Sequence, residues 1–459
     1  MSIYTLTTFE QNLTVSKADK LEYGEIYTPF KLIDQMLDLF DPAVFRDPHK
    51  TWLDVGAGQG YISIALFLRL NAGLSDDLPD EHSRKDHIVK NMLYLVELKP
   101  SNVTALQTLF GPAANIYAGD FCAYETDRVY DYILGNPPYN AHGIKKVPTN
   151  TARVKKNDGI TLWPTFIQKS LHCLRPMTGQ LCLIVPALWL KPDKSGSHRL
   201  LTQYKIEKIH CLSGNETNTL FKGEAQTPTC FFLLTKTTAT PTLQLYDSKR
   251  QAYVTFPYQT GHPIPLFAAH IIKKLHPWLA QAGALNVIKT NMPGKKSRFT
   301  EDSYTNTAYP YTNILTCVLE GLQPVLLLNY SDTPQAFHGV KKLVLAHKMY
   351  GFPYWDKEGH YGIANRDNYV IVGKTAAEFE QLHAFLSTKF ALYLFEATRY
   401  RMKYLERYAF EFIPDITRLP GFPSAKMLSD ETVADFFGLD VVDKTHIQSC
   451  HKKNYLRFL

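Results

Sequence analysis

Between the apolar run Thr51–Leu53 and the helical run Tyr61–Leu70 stand Asp54-Val55-Gly56-Ala57-Gly58-Gln59-Gly60, the stretch that most narrows what this chain can fold into. A strand that turns straight into a helix needs backbone conformations that side chains resist, and glycine supplies them. The same glycines let a ligand approach the main chain, and the helix N-terminus meets it with partial positive charge. The spacing is GxGxG rather than the dinucleotide GxGxxG, and an acid precedes it. That pattern suits a ligand with a cationic amino-acid end better than a pyrophosphate. A tight structural turn also explains a lone pattern of this kind, so the weight falls on what lies downstream.

Downstream, Asn136-Pro137-Pro138-Tyr139 follows the apolar run Tyr130–Leu134. Prolines fix φ and lack an N–H, so the loop leaves the strand as a stiff polar ledge. The Asn136 side-chain oxygen and the Pro137 carbonyl are both acceptors, suited to a flat substrate carrying an amino group. Tyr139 supplies a face on which a ring can stack. A strand-ending turn is the bland alternative, and it loses weight because both motifs occur in order.

Together, DxGxGxG and NPPY resemble the S-adenosylmethionine-dependent amino-methyltransferases, most closely the DNA adenine-N6 class, over about Gly24 to Leu234. The resemblance implies an α/β fold: a Rossmann-like, seven-stranded, largely parallel sheet with helices on both faces. It assigns Asp54, Gly56 and Gly58 to the cofactor loop, and Glu97, after Met92–Val96, to the ribose hydroxyls. Asp120 and Phe121, after Asn115–Ala118, take the place where the cofactor adenine is bound and covered. Tyr27, Thr28 and Pro29 match the element that touches the methionine end. Asn136, Pro137 and Tyr139 are then catalytic, and Tyr139 and Phe121 would sandwich a flipped base. Acceptors on both amino hydrogens favour a more tetrahedral nitrogen, and alignment of nitrogen, methyl and sulfur does the rest.

Two stretches depart from the family pattern. The charged segment Asn71–Lys90 delays Glu97 and reads as a surface insertion, which loops tolerate cheaply. After the ledge stands Leu162-Trp163-Pro164-Thr165-Phe166, which makes Trp163 or Phe166 the candidate for packing near the adenine. Between them, Lys145, Lys146, Arg153, Lys155 and Lys156 form a basic loop. A charge run is ordinarily a solvated face, but the position of this one beside the ledge suggests phosphate contacts. Pro79-Asp80 with Glu97-Leu98-Lys99 also spells a PD…ExK nuclease pattern, disfavoured because Glu97 already has its place in the methyltransferase order.

Strand-like and helical runs alternate up to Leu234, as in a doubly wound sheet. The polar link Thr235–Thr242 suggests a boundary, giving a catalytic domain over 1–240, an α+β target-recognition domain over 241–425 and a helical tail over 426–459. The middle part interleaves aromatics (Tyr309-Pro310-Tyr311, Tyr350–Trp355, Tyr361-Gly362) with cations (Lys295, Lys296, Arg298, Lys341, Lys342, Arg399–Lys403). Phe385–Glu406 reads as helical and Ser429–Leu439 as a short terminal helix.

In 459 residues, a 45% apolar share with 13% aromatics excludes a disordered chain. No apolar run reaches the ~18 residues of a membrane span. The first residues show no basic-then-apolar signal pattern, and the seven cysteines show no CxxC pair. A cytoplasmic, metal-free monomer is expected, with S-adenosylmethionine as cofactor, double-stranded DNA as partner and a cognate restriction endonuclease as a further candidate. An RNA or protein-glutamine methyltransferase, a combined restriction-modification nuclease and a non-catalytic DNA-binding subunit are the alternatives. Net charge of +7 permits a polyanion partner without requiring one.

Overall fold

The structure is a computed structural model and describes residues 27–141, 160–223, 225, 227–301, 307–320, 323–347, 353–401 and 404–450. Contacts divide the chain into two units, Met1–Tyr246 with Tyr253–Ile264, and Asp247–Ala252 with Pro265–Leu459.

The first unit opens with α1 (Phe30–Leu37), then β1 (Trp52–Val55), α2 (Tyr61–Gly73), α3 (Glu81–His87), β2 (Leu93–Glu97), α4 (Pro100–Phe110), β3 (Asn115–Ala118) and β4 (Tyr132–Gly135). After the ledge come α5 (Trp163–Cys173), β5 (Gln180–Pro186), α6 (Ser197–Leu201), β6 (Tyr204–Leu212), α7 (Gly214–Leu220), β7 (Thr229–Thr238), β8 (Thr242–Asp247) and β9 (Ala252–Pro257). The strands form one sheet in the order β3-β2-β1-β4-β5-β7-β6-β8-β9. The strands from β3 to β5 pair in parallel, and β7 runs antiparallel between β5 and β6. Strands β1 and β4 are buried on both faces, which is why they read as unbroken apolar runs. Their starting ends are locked by aromatic stacking: Trp52 lies 5.3 Å from Phe45 and 4.1 Å from Tyr132, centroid to centroid.

The expected α/β sheet is present, with two strands more than seven. The polar link Thr235–Thr242 is not coil: β7 runs through Thr238, and β8 starts at Thr242 and pairs with β6. Threonines give β-branched side chains to the end of β7, and a sequence reading takes their polarity for a linker. The charged segment before Glu97 holds helix α3, capped by Asp80, whose carboxylate accepts from Ser83 N at 2.7 Å.

The second unit contains α8 (Ala269–Ala282) and two four-stranded sheets. One has the order β10 (Ile288–Lys289), β17 (Asn368–Ile371), β14 (Lys342–Ala346), β15 (Tyr354–Asp356). The other has the order β11 (Phe299–Thr300), β13 (Gln323–Ser331), β12 (Tyr311–Glu320), β16 (Gly362–Ile363). Ile314, Cys317, Val344, Ala346, Ile363 and Val370 form a shared core between them. Helices α9 (Ala376–Leu386), α10 (Lys389–Ala397), α11 (Asp430–Phe436) and α12 (Val441–Gln448) follow. The helix read over Phe385–Glu406 is therefore broken. Thr388 caps α10 by accepting from Ala391 N, and α10 ends at Ala397, before Arg399. Lys342 and Tyr400, read as members of basic and aromatic clusters, are fully buried. No described helix is long and apolar enough to cross a membrane.

Candidate active site

Strands β2, β1 and β4 are adjacent and parallel, so their C-terminal ends lie at one edge of the sheet, roughly 5 Å apart per strand. Glu97, the glycine loop and Asn136 stand at or just beyond those three ends. The loop is tied down by Gly56 N and Ala57 N, which both donate to Val96 O, at 3.0 and 2.9 Å. Gly58 and Gly60 have φ of +57° and +92°, where a side chain is strained. At Gly60 a Cβ would also meet Leu106 at 2.8 Å.

Glu97 closes the loop from the side. Its carboxylate accepts from Gly58 N at 2.7 Å, from Lys99 N at 2.8 Å and from the Asn102 amide at 3.3 Å. Asp54 is fully buried at the loop's root. Its Oδ2 accepts from the Ser63 hydroxyl at 2.5 Å, while Oδ1 is buried with no partner. Burial pushes this carboxyl up to about 7, the Ser63 hydrogen bond works against that, and the nearby charge of Glu97 adds to it. A buried acceptor without a donor costs free energy, so this oxygen calls for an N–H, or a cationic group, from a ligand. Ser63 was missed by the sequence reading; its signal was a single polar residue inside the apolar run of α2.

Around the loop, Asp120 caps a short helical turn, its Oδ1 accepting from Cys122 N at 2.9 Å. Phe121 is buried and its ring centroid lies 5.2 Å from that of Phe166. Phe166 in turn has a ring carbon 3.9 Å from where a Cβ on Gly56 would stand. Of the two aromatics weighed after the ledge, Phe166 thus bridges the loop and Phe121. Trp163, the first residue of α5, is also buried.

On the ledge, the Asn136 amide nitrogen donates to Thr28 Oγ1 at 2.9 Å. Pro137 is buried behind it. Tyr139 packs by its ring against the core, and its hydroxyl is buried without a partner, so burial drives its pKa upward. The ring rather than the hydroxyl is what the tyrosine offers. Tyr27 lies edge-on to Tyr61 at 5.1 Å, with the Lys222 ammonium 5.5 Å from its centroid. Pro29 caps α1. Lys145, Lys146, Arg153, Lys155 and Lys156 lie outside the described residues. In the PD…ExK reading, Asp80 serves as the cap of α3 and Glu97 is committed to the glycine loop.

Residues 63–217 match the family model of the Eco57I restriction-modification methylases. An uncharacterized adenine-specific methylase of Mycoplasma pneumoniae is 33% identical over 147 residues, covering 30% of this chain and 35% of the relative. A tRNA1(Val) (adenine(37)-N6)-methyltransferase of Shewanella baltica is 28% identical over 180 residues, covering 37% of this chain and 66% of that protein. Among solved structures, the M protein of the type I restriction enzyme EcoKI aligns at 19% identity with a TM-score of 0.37. That alignment covers 50% of this chain and 51% of that one. The chain spans about a third of the length of the Mycoplasma relative. The matched segment runs from Ser63 in α2 past β6, so it takes in Glu97 and the NPPY ledge.

Proposed function

We propose that the chain transfers the methyl group of S-adenosylmethionine to N6 of an adenine extruded from duplex DNA. One observation carries the reading: the acceptor-rich ledge and the glycine loop with its unpaired buried carboxylate oxygen stand at the ends of neighbouring strands β4 and β1. Asp54 is fit to hold the cationic amino-acid end, Glu97 the ribose hydroxyls, and Asp120 and Phe121 the cofactor's adenine. When bound, the cofactor supplies a reactive methyl group on sulfur.

The ledge then has to make a poor nucleophile usable. The lone pair of N6 is delocalised into the ring. Asn136 Oδ1 and the Pro137 carbonyl accept its two hydrogens and stabilise the charge that grows on nitrogen as it attacks. Tyr139, fixed with its hydroxyl inward, offers a ring face for stacking. A base within a duplex cannot reach such a recessed ledge, which is why extrusion is part of the proposal. Lys295, Lys296 and Arg298, all exposed, are proposed phosphate contacts of the second unit. A tRNA substrate is the second reading, favoured by the tRNA1(Val) relatives.

The test is incubation with methyl-labelled S-adenosylmethionine and either unmodified duplex DNA or tRNA, followed by nucleoside analysis. Label in N6-methyldeoxyadenosine is expected. Label confined to tRNA would select the second reading, and label in neither would refute both.

A further inference from the structure

We propose that Thr28 is a positioning residue for methyl transfer: its hydroxyl holds the Asn136 carboxamide in place on the ledge, beside the target amine. The proposal rests on the reading of the ledge as an amine-methylating site. An asparagine amide is a two-ended group of nearly equal shape, and only one end suits this chemistry. With the oxygen outward it accepts a hydrogen from the adenine amine; turned over, it sets donor against donor.

The carboxamide is tied down across 108 residues of sequence, by the 2.9 Å hydrogen bond from Asn136 Nδ2 to Thr28 Oγ1. Because nitrogen and oxygen share one carbon at about 120°, committing the nitrogen to Thr28 sends the oxygen the other way. Thr28 is 5% exposed, so water cannot readily take over its part.

Its own position is also fixed from three sides. The following Pro29 restricts Thr28 to extended backbone. Pro29 O accepts from Leu32 N and Ile33 N at 2.9 and 3.1 Å, starting α1 at that point. Helix α1 is anchored by Phe30, Leu32, Ile33 and Met36, all in the core of the first unit. A rigid helix start thus presents one hydroxyl to one amide, and the ledge takes the placement of its carboxamide from the N-terminal element. This differs from a direct cofactor contact by Thr28, which would act on affinity and not on the chemical step.

The experiment compares Thr28→Val, Thr28→Ala and Thr28→Ser in the full chain. It measures single-turnover methyl transfer at saturating cofactor, together with the cofactor Kd. Loss of the hydroxyl in the Val and Ala variants is expected to slow transfer by about 10²-fold, the scale of a misplaced catalytic group. Cofactor Kd should stay within about threefold in both, which also reports that the site is folded. Thr28→Ser should restore the rate to within about threefold of wild type. An unchanged rate in both Val and Ala variants, with the wild type active and Asn136→Ala inactive, overturns the Thr28 assignment alone. A weakened cofactor Kd with an unchanged saturated rate overturns it in favour of a cofactor contact. A wild type inactive on DNA and tRNA overturns the methyl-transfer reading, and this proposal with it.

Discussion

Both units bury carboxylates, and Asp54 in the first is treated unlike Asp356 and Asp443 in the second. In the second unit Asp356 accepts from the Lys342 ammonium at 2.6 Å, from Tyr361 N at 3.1 Å and from His360 N at 3.0 Å. Lys342, itself fully buried, also donates to the carbonyls of Phe337, Val340 and Tyr361. Asp443 is similarly closed by Arg250 at 2.7 Å, Lys274 at 3.1 Å and His270 at 3.0 Å. That cluster of Asp440, Asp443 and His270 has metal-like spacing, but its negative charge is already met by two cations. In the first unit Asp54 has one oxygen on Ser63 and the other on nothing. A buried charge with all its partners is scaffold. A buried carboxylate with a vacant oxygen beside a glycine loop is the place where the proposed function puts a donor from the ligand.

The contrast breaks most visibly at the ledge. Asn136→Ala is expected to slow methyl transfer by at least about 10²-fold while leaving the folded state intact, as for loss of one preorganised polar group that acts on developing charge. Single-turnover assays beside thermal unfolding check this, and a rate close to wild type would remove Asn136 from the chemistry.

In the second unit the expected damage is to stability. Lys342→Met leaves Asp356 buried without its cation and should cost about 3–5 kcal/mol. Replacing both partners with apolar residues should recover a large part of that. Urea titration of the single and double variants decides; equal losses would show that the pair is not a closed unit.

Asp54 should respond to pH in a way the paired carboxylates do not. Its folded value of about 7 lies above the ordinary 3.8, so between those limits the folded chain keeps a proton that the unfolded chain has released. Its contribution to stability therefore falls as pH rises from about 4 to about 7 and levels off above that. Asp54→Asn removes this slope. In cofactor-free protein, the Tm of the variant should gain on wild type from pH 5 to pH 8, and parallel curves would contradict the assignment.

The smallest effect belongs to Tyr139. Since its hydroxyl is buried without a partner, Tyr139→Phe should keep transfer within about threefold and change stability by no more than about 1 kcal/mol, toward greater stability. A large loss of rate would mean the hydroxyl takes part after all.

How much of this was legible in the sequence follows the same division. Strands β1, β2 and β4 and the loop between β1 and α2 were readable because parallel strands buried on both faces give unbroken apolar runs ended by glycine, acid or proline. The expected β3, Asn115–Ala118, is the observed one to the residue. The Asp54–Ser63 and Asn136–Thr28 bonds were not readable, because each joins residues whose partner choice is made by packing and not by local pattern. In the second unit, Lys342 next to Lys341 looks like half of a basic patch. Lys341 stands exposed just before β14, while Lys342, the first residue of that strand, goes inward to Asp356. The break after Leu386 was present as Ser387-Thr388, a capping pair hidden in a stretch otherwise rich in helix formers.

Titration of S-adenosylmethionine into the wild-type chain, Asp54→Ala and Glu97→Ala tests most directly whether the glycine loop is a cofactor site. The account predicts one saturable site in the wild type, weakened at least about tenfold in each variant, the loss of a charge-assisted contact. Equal affinity in all three proteins, or no binding to the wild type, would contradict it.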